Sequence, residues 1–218
     1  MILNIDTAVE SASVCLAENG HAILSKSNAI PKDQASWIHN AIGDLVKEAG
    51  IALQDLNAIA VSAGPGSYTG LRVGMATAKG FSFALNIPLI AINTLRIMAF
   101  AARGEDNKLL CPMIDARRME VFTAVFDSNL DEVMKSTNMI LDENSFKSLL
   151  EAHDIIFFGN GSPKFESIIA HPHAFFKKIS ASALHMANLS YSMFLKQEFS
   201  DLAYSEPFYG KEFHSSLK

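Results

Sequence analysis

The sequence predicts an α/β protein of two lobes built on one plan, each lobe a βββαβα-type unit with a mixed sheet. Three observations carry that reading. Short continuous apolar runs, such as Ile59-Ala60-Val61 and Ile155-Ile156-Phe157-Phe158, read as strands buried on both faces. Segments with apolar residues at helical spacing alternate with these runs. The order of elements in residues 1–103 then recurs in residues 104–218, and those ranges are the expected lobes.

In the first lobe, Ile2 to Ala8 is a strand and Ala12 to Ala17 a second, with Val9, Glu10 and Ser11 between them. His21 to Ser27 makes a weaker third strand. Pro31 introduces a helix ending near Gly50, along which Ile38, Ala41, Ile42, Leu45, Val46 and Ala49 draw one apolar stripe. Leu56 to Ala63 is a buried strand, Gly70 to Leu85 a helix, Pro88 to Ile92 a strand and Leu95 to Ala102 a helix. Such a series implies parallel pairs with right-handed crossovers. In the second lobe, Leu110 to Asp115 ends in Ile-Asp as the first strand does, and Glu120 to Phe126 and Glu132 to Leu141 follow as strands. Ser145 to Ala152 is helical with Ser145 as its cap, and Asp154 to Phe158 is a buried strand. A long helix from about Ser182 to Phe199 and a mostly irregular tail close the chain.

The chain is organised around Gly64-Pro65-Gly66-Ser67-Tyr68-Thr69-Gly70-Leu71-Arg72, the turn between a buried strand and a helix. Gly64 and Gly66 bracket Pro65, so the turn is tight and brings backbone close to a neighbour. Ser67 and Thr69 can cap the helix, and Tyr68 is the bulky side chain on the turn. Free amides at a helix N-terminus suit an anion or phosphate; the same glycines equally suit close packing of two chains. Gly159-Asn160-Gly161-Ser162 holds the corresponding place in the second lobe.

Composition narrows the function classes. A formal net charge of −5 argues against a chain that grips nucleic acid alone, since phosphate binding needs clustered Lys and Arg. No apolar run approaches the roughly 20 residues of a membrane span, and the N-terminus leads directly into a strand without a leader pattern. Cys15 and Cys111 lie inside apolar strands, which predicts reduced, buried thiols and a cytoplasmic protein.

The two Ile-Asp hairpins, at Asp6 and Asp115, give the halves a resemblance to the fold shared by actin, hexokinase and sugar kinases, the actin-like or ASKHA fold. In active members that resemblance implies hairpins holding the phosphates and metal of ATP in an interdomain cleft. Such hairpins contain glycine, whereas Asp6-Thr7-Ala8-Val9-Glu10 and Asp115-Ala116-Arg117-Arg118-Met119 contain none. Asp6 and Asp115 therefore read as a vestigial nucleotide cleft or as turn stabilisers, with an ATP-dependent phosphotransferase as the alternative. Arg117 and Arg118 can bind an anion or a partner's carboxylate, or simply sit in a solvated turn. Ser67 does not stand in the Gly-x-Ser-x-Gly pattern of a nucleophile elbow, which disfavours a serine peptidase. No two histidines lie at the helical spacing of a metal site, so no metal site is predicted. Small residues at Gly70, Gly74 and Ala78 lie four apart on the second helix, where Gly74 and Gly80 each cost about 1 kcal/mol relative to Ala. A closely packed helix, of this chain or another, is what such a face accommodates.

Gly64 to Gly74, with Ala76, Ala78, Lys79 and Gly80, closely resembles the signature of the TsaB (YeaZ) family. So do Ile2-Leu3-Asn4-Ile5-Asp6-Thr7, Asp115-Ala116-Arg117 with Glu120-Val121-Phe122, and Glu206-Pro207-Phe208-Tyr209. Tyr68 stands where Phe is usual, Gly210-Lys211 where the tail often reads Leu-Arg, and residues 127–172 match in pattern only. The resemblance implies an actin-like duplicated fold with no catalytic site and no cofactor of its own. It further implies a partner subunit of TsaD, acting with the ATPase TsaE to add threonylcarbamoyl to N6 of the tRNA adenosine next to the anticodon. ATP and metal would belong to those partners, tRNA would be met only through the complex, and the family's old glycoprotease label would not carry over. Self-association through the first two helices in the absence of TsaD is also implied, by position Lys32 to Ala49 and Gly70 to Leu85. Ile38, Ile42, Leu45, Leu71, Gly74, Met75 and Ala78 are the expected contacts, and Gly74→Leu is expected to break pairing while sparing the fold.

Overall fold

Two five-stranded mixed sheets lie side by side in the computed structural model, which describes the chain apart from residues 10, 29, 31–32, 105–107 and 211–218. Glu10 of the first hairpin, Pro31 and Lys32 of the expected helix start, and Lys211 fall outside the described residues. The first sheet comprises β1 (Ile2–Asp6), β2 (Ala12–Glu18), β3 (His21–Asn28), β4 (Ala58–Ser62) and β5 (Leu89–Ile92), in the order β3-β2-β1-β4-β5. The second comprises β6 (Leu109–Asp115), β7 (Glu120–Phe126), β8 (Glu132–Ile140), β9 (Ile155–Phe158) and β10 (Ala174–Phe176), in the order β10-β9-β6-β7-β8. Read from the other edge, the second order repeats the first strand for strand. In each sheet the first three strands pair antiparallel and the last two join in parallel, as the apolar runs predict.

The helices are α1 (Gln34–Ala49), α2 (Tyr68–Leu85), α3 (Thr94–Ala101), α4 (Lys147–Leu150), α5 (Ser162–Glu166) and α6 (Met186–Leu195). Gly50 ends α1 in a left-handed cap with φ 67°, the conformation a glycine adopts without a Cβ penalty. Asn93 caps α3, its side-chain oxygen accepting from the Leu95 and Arg96 amides. The expected helix of residues 145–152 shrinks to one turn, and Ser145 bonds back to Asp142 rather than capping it. Helix α5 and strand β10 are additions that the sequence pattern did not mark. At the end of the chain, a 3₁₀ turn (Ala183–His185) precedes α6, which stops well short of Phe199.

Faces of the first sheet pack differently. Leu3, Ile5, Val14, Leu16, Ile59 and Val61 meet α1 and α2 in one core. Ile2, Cys15, Ala58, Ala60 and Ile92 face the opposite way, into a core shared with α3, α6 and the second sheet's Ile114, Phe122, Phe126 and Phe158. Residues 183–195 therefore return to the first sheet, although they lie in the chain's second half. Phe146, Phe157, Phe165 and Phe176 form an aromatic core under the far face of the second sheet. Cys15 and Cys111 are free, buried thiols, each pushed up to about 12 by burial, as their apolar settings predict.

Candidate functional site

The β4–α2 turn explains its own composition. Its amides and carbonyls bond inward: Ala63 O accepts from Phe208 N at 2.7 Å, Gly64 N donates to Thr94 Oγ1, and Ser67 N donates to Ala8 O at 2.7 Å. Ser67 Oγ caps α2 by accepting from Gly70 N, so Ser67 serves as the helix cap. A Cβ on Gly64 would collide with the Phe208 carbonyl, on Gly66 with the Ala8 carbonyl, and on Gly70 with the Thr7 carbonyl. One on Gly74 would collide with Thr7 Oγ1, which itself donates to Gly70 O at 2.7 Å. The close neighbour that the glycines demand is thus neither an anion nor a second chain. It is the chain's own β1–β2 turn together with its own C-terminal tail.

Both hairpin carboxylates are engaged. Asp6 is 1 % exposed; its Oδ1 accepts from the Ala8 amide at 3.1 Å, and the Ser62 hydroxyl bonds it as well. Burial raises its pKa, and the Ser62 and Ala8 hydrogen bonds and His185 offset that only in part. Asp115 lies in the open, accepting from the Arg117 amide and from Lys164 Nζ, each at 2.6 Å. Burial alone would raise it, but Lys164, the Arg117 amide and the nearby positive charges together hold it below the ordinary carboxylate value. Over the face of the first sheet that is turned to the second lies the 3₁₀ turn, with Ala183 N donating to Ser13 Oγ at 2.8 Å and His185 beside Asp6. This donor set does not fit a metal-bound nucleotide: one carboxyl is sealed and bonded, the other is paired with lysine. Arg117 and Arg118 are exposed in the second hairpin with φ of 69° and 49°. Among the described residues no three His, Cys, Asp or Glu side chains gather as metal ligands.

The residues expected at a partner surface are brought together, but on the inside. Ile38, Leu45, Leu71 and Ala78 are 0 % exposed, Ile42 1 % and Met75 4 %, and Gly74 is buried against Thr7. An apolar stripe reports which side of a helix meets the protein's own sheet, and here that side is fully used. Gly74→Leu would consequently break the fold, contrary to expectation. What faces outward is the opposite side of α2, a line of Thr69, Arg72, Ala76, Gly80 and Phe83, with Phe83 80 % exposed. Beside it on α1, Asn40 and Gly43 are exposed, and His39 lies 6.2 Å from the half-buried Phe81 ring. A Cβ on Gly43 or Gly80 would meet nothing within 4 Å, so the fold itself needs neither glycine. One signal in the sequence pointed here. Phe81 and Phe83 stand two apart, about 200° around a helix, and cannot both face one core.

The tail is irregular yet tied down. Ser200 N donates to Leu89 O and Ser200 Oγ accepts from Ala91 N, which covers the edge of β5. Lys79 Nζ donates to the carbonyls of Ala203 and Ser205. Tyr209 OH accepts from Arg72 Nε at 3.1 Å, and the Arg72 guanidinium lies 4.1 Å over the Tyr68 ring. Gly210 lies against Phe122 of the second sheet, so the tail spans both lobes.

Comparison with known proteins agrees with this architecture. The family model TsaD, tRNA N6-adenosine threonylcarbamoyltransferase, matches residues 29–209. The chain is 30 % identical over 173 residues to the tRNA threonylcarbamoyladenosine biosynthesis protein TsaB of Bacillus subtilis, spanning 77 % of this chain and 74 % of that protein. Similarity to TsaB of Escherichia coli is 36 % over 126 residues, 57 % of this chain and 54 % of that one. A Pseudomonas aeruginosa protein described as similar to peptidase YEAZ superposes with a TM-score of 0.85 at 28 % identity, covering 96 % of this chain and 99 % of that chain. The activator of 2-hydroxyisocaproyl-CoA dehydratase from Clostridium difficile, solved with bound ADPNP, reaches 0.50 at 8 % identity over 92 % of this chain and 98 % of that one, which speaks to a shared actin-like fold.

Proposed function

The chain belongs to the TsaB (YeaZ) family, and we propose that it serves tRNA threonylcarbamoyladenosine biosynthesis as a non-catalytic subunit that docks and activates a TsaD subunit. The observation that carries this reading is the outward face of α1 and α2. Gly43 and Gly80 weaken their helices by about 1 kcal/mol each relative to Ala, and the space over them is open. Phe83 is held in water on the same line. Small residues flanked by an exposed aromatic ring suit the close approach of a partner helix. The engagement of Asp6 and Asp115 supports the non-catalytic half of the proposal. In the absence of TsaD the same face pairs two copies of the chain, and TsaE and tRNA join through the assembled complex in the cytoplasm.

The test is reconstitution of threonylcarbamoyl transfer to tRNA from purified subunits. The chain alone transfers nothing, and omitting it from a mixture with TsaD and TsaE abolishes transfer. Transfer by the isolated chain, or undiminished transfer without it, would overturn the reading. Gly80→Leu should fold and yet fail to support the reaction.

A further inference from the structure

We infer that Arg72 is a preformed anchor for one carboxylate, an Asp or Glu side chain of the protein that docks on the outward face of α2; the inference rests on the partner reading above. The guanidinium is held from two sides. It lies 4.1 Å from the Tyr68 ring centroid and 5.8 Å from that of Tyr209, while its Nε donates to the Tyr209 hydroxyl at 3.1 Å. Tyr209 comes from the tail, 137 residues away in sequence. This arrangement fixes the plane of the group and uses one of its five N–H donors. Among the described residues the terminal NH2 groups make no hydrogen bond and Arg72 makes no ion pair. An arginine fork fixed in this way is the geometry that takes a carboxylate in two parallel hydrogen bonds.

Its position argues the same way. Arg72 is the fifth residue of α2, just past the first turn and far from the carbonyl end of the helix that would favour a cation. Among the described residues no acid compensates for it there. Stapling the tail does not account for it, because Phe208 N on Ala63 O and Lys79 on the carbonyls of Ala203 and Ser205 already hold that segment. Lys79, the next cation along the helix, is turned onto those carbonyls, so Arg72 presents a single charge rather than part of a basic track. With a net charge of −5, that favours one carboxylate over a nucleic-acid backbone. Arg72 also heads the line that continues through Ala76, Gly80 and Phe83, so a helix laid on that line brings its flank to the fork. Tyr68 and Tyr209 are positioning residues.

The test is calorimetric titration of the full chain with purified TsaD subunit at low and physiological salt, with thermal melting of every variant. Arg72→Gln should weaken binding by about ten- to a hundredfold and flatten its salt dependence. Arg72→Lys should recover only part, since an ammonium offers no fork. Tyr209→Phe should give a smaller loss without lowering the melting temperature. Full-strength binding by Arg72→Gln, with binding lost in Gly80→Leu, would overturn the anchor and leave the partner surface standing. Absence of binding by the unaltered chain would overturn both. A variant that binds TsaD normally but weakens tRNA binding by the complex would make the site a phosphate contact and overturn the carboxylate assignment. Should Arg72→Gln melt early, the folded Arg72→Lys variant decides, and full-strength binding by it overturns the role of the fork.

Discussion

The two lobes share a strand order and differ in what covers it. In the first, α1 and α2 run 16 and 18 residues; their counterparts α4 and α5 run 4 and 5. Each lobe has a glycine turn pressed onto its Asp hairpin, through Gly66 in one and Gly161 in the other. The first hairpin is covered by that turn and by the 3₁₀ turn, and its Asp6 is buried. The second stays open at the surface, its Asp115 balanced by Lys164. Duplication thus supplied two equivalent frames. The first carries long helices with an outward face that the fold does not use, and the second carries helices of about one turn.

Substitutions sharpen this contrast. Gly66→Ala and Gly70→Ala drive a methyl into backbone carbonyls that cannot yield, and each should cost more than about 3 kcal/mol in chemical denaturation or prevent folding. Gly161→Ala meets the Val121 side chain at 2.9 Å and the Ile114 backbone at 3.0 Å, and should cost about 1–3 kcal/mol. On the outward face the sign reverses. Gly43→Ala and Gly80→Ala should each stabilise the isolated chain by about 1 kcal/mol, and a loss there would show that the fold needs those glycines.

Charge effects are smaller and differ in sign between the hairpins. Asp6 has a raised pKa, so its contribution is full below the ordinary value of 3.8 and is lost as pH rises through the raised native value. Asp6→Asn should therefore melt higher than the parent at neutral pH, with the gap closing in acid; a parallel pair of curves would contradict the burial argument. Asp115 has a lowered pKa, so its contribution is present above 3.8 and is lost as pH falls through the native value. Because that carboxylate is 45 % exposed, Lys164→Ala should cost less than about 1 kcal/mol at neutral pH.

Most of the strand order could be read from the sequence, because continuous apolar runs and glycine turns encode parallel strands locally. The signature glycines were legible as close approaches, though not their neighbours. Phe208 lies far along the chain from Gly64, and nothing in local pattern pairs them. The tail's ties to α2 and β5 were hidden for the same reason, since Lys79 and Ser200 bond to or from backbone groups, which no side-chain pattern announces. Ile38, Ile42, Leu45, Leu71, Gly74, Met75 and Ala78, expected at a partner surface, are buried in the chain's own core, because amphipathic periodicity marks a helix's buried side. The outward side was written in Gly43, Gly80 and Phe83, residues that fit neither the stripe nor a purely solvent-facing helix.

The most direct test of the central claim is light scattering on the chain alone, then mixed with TsaD from the same source, for the parent and for Gly80→Leu. The expected result is a parent homodimer that gives way to a heterodimer, and a folded Gly80→Leu chain that forms neither. A Gly80→Leu chain that still pairs with TsaD, or a parent chain indifferent to TsaD, would contradict it.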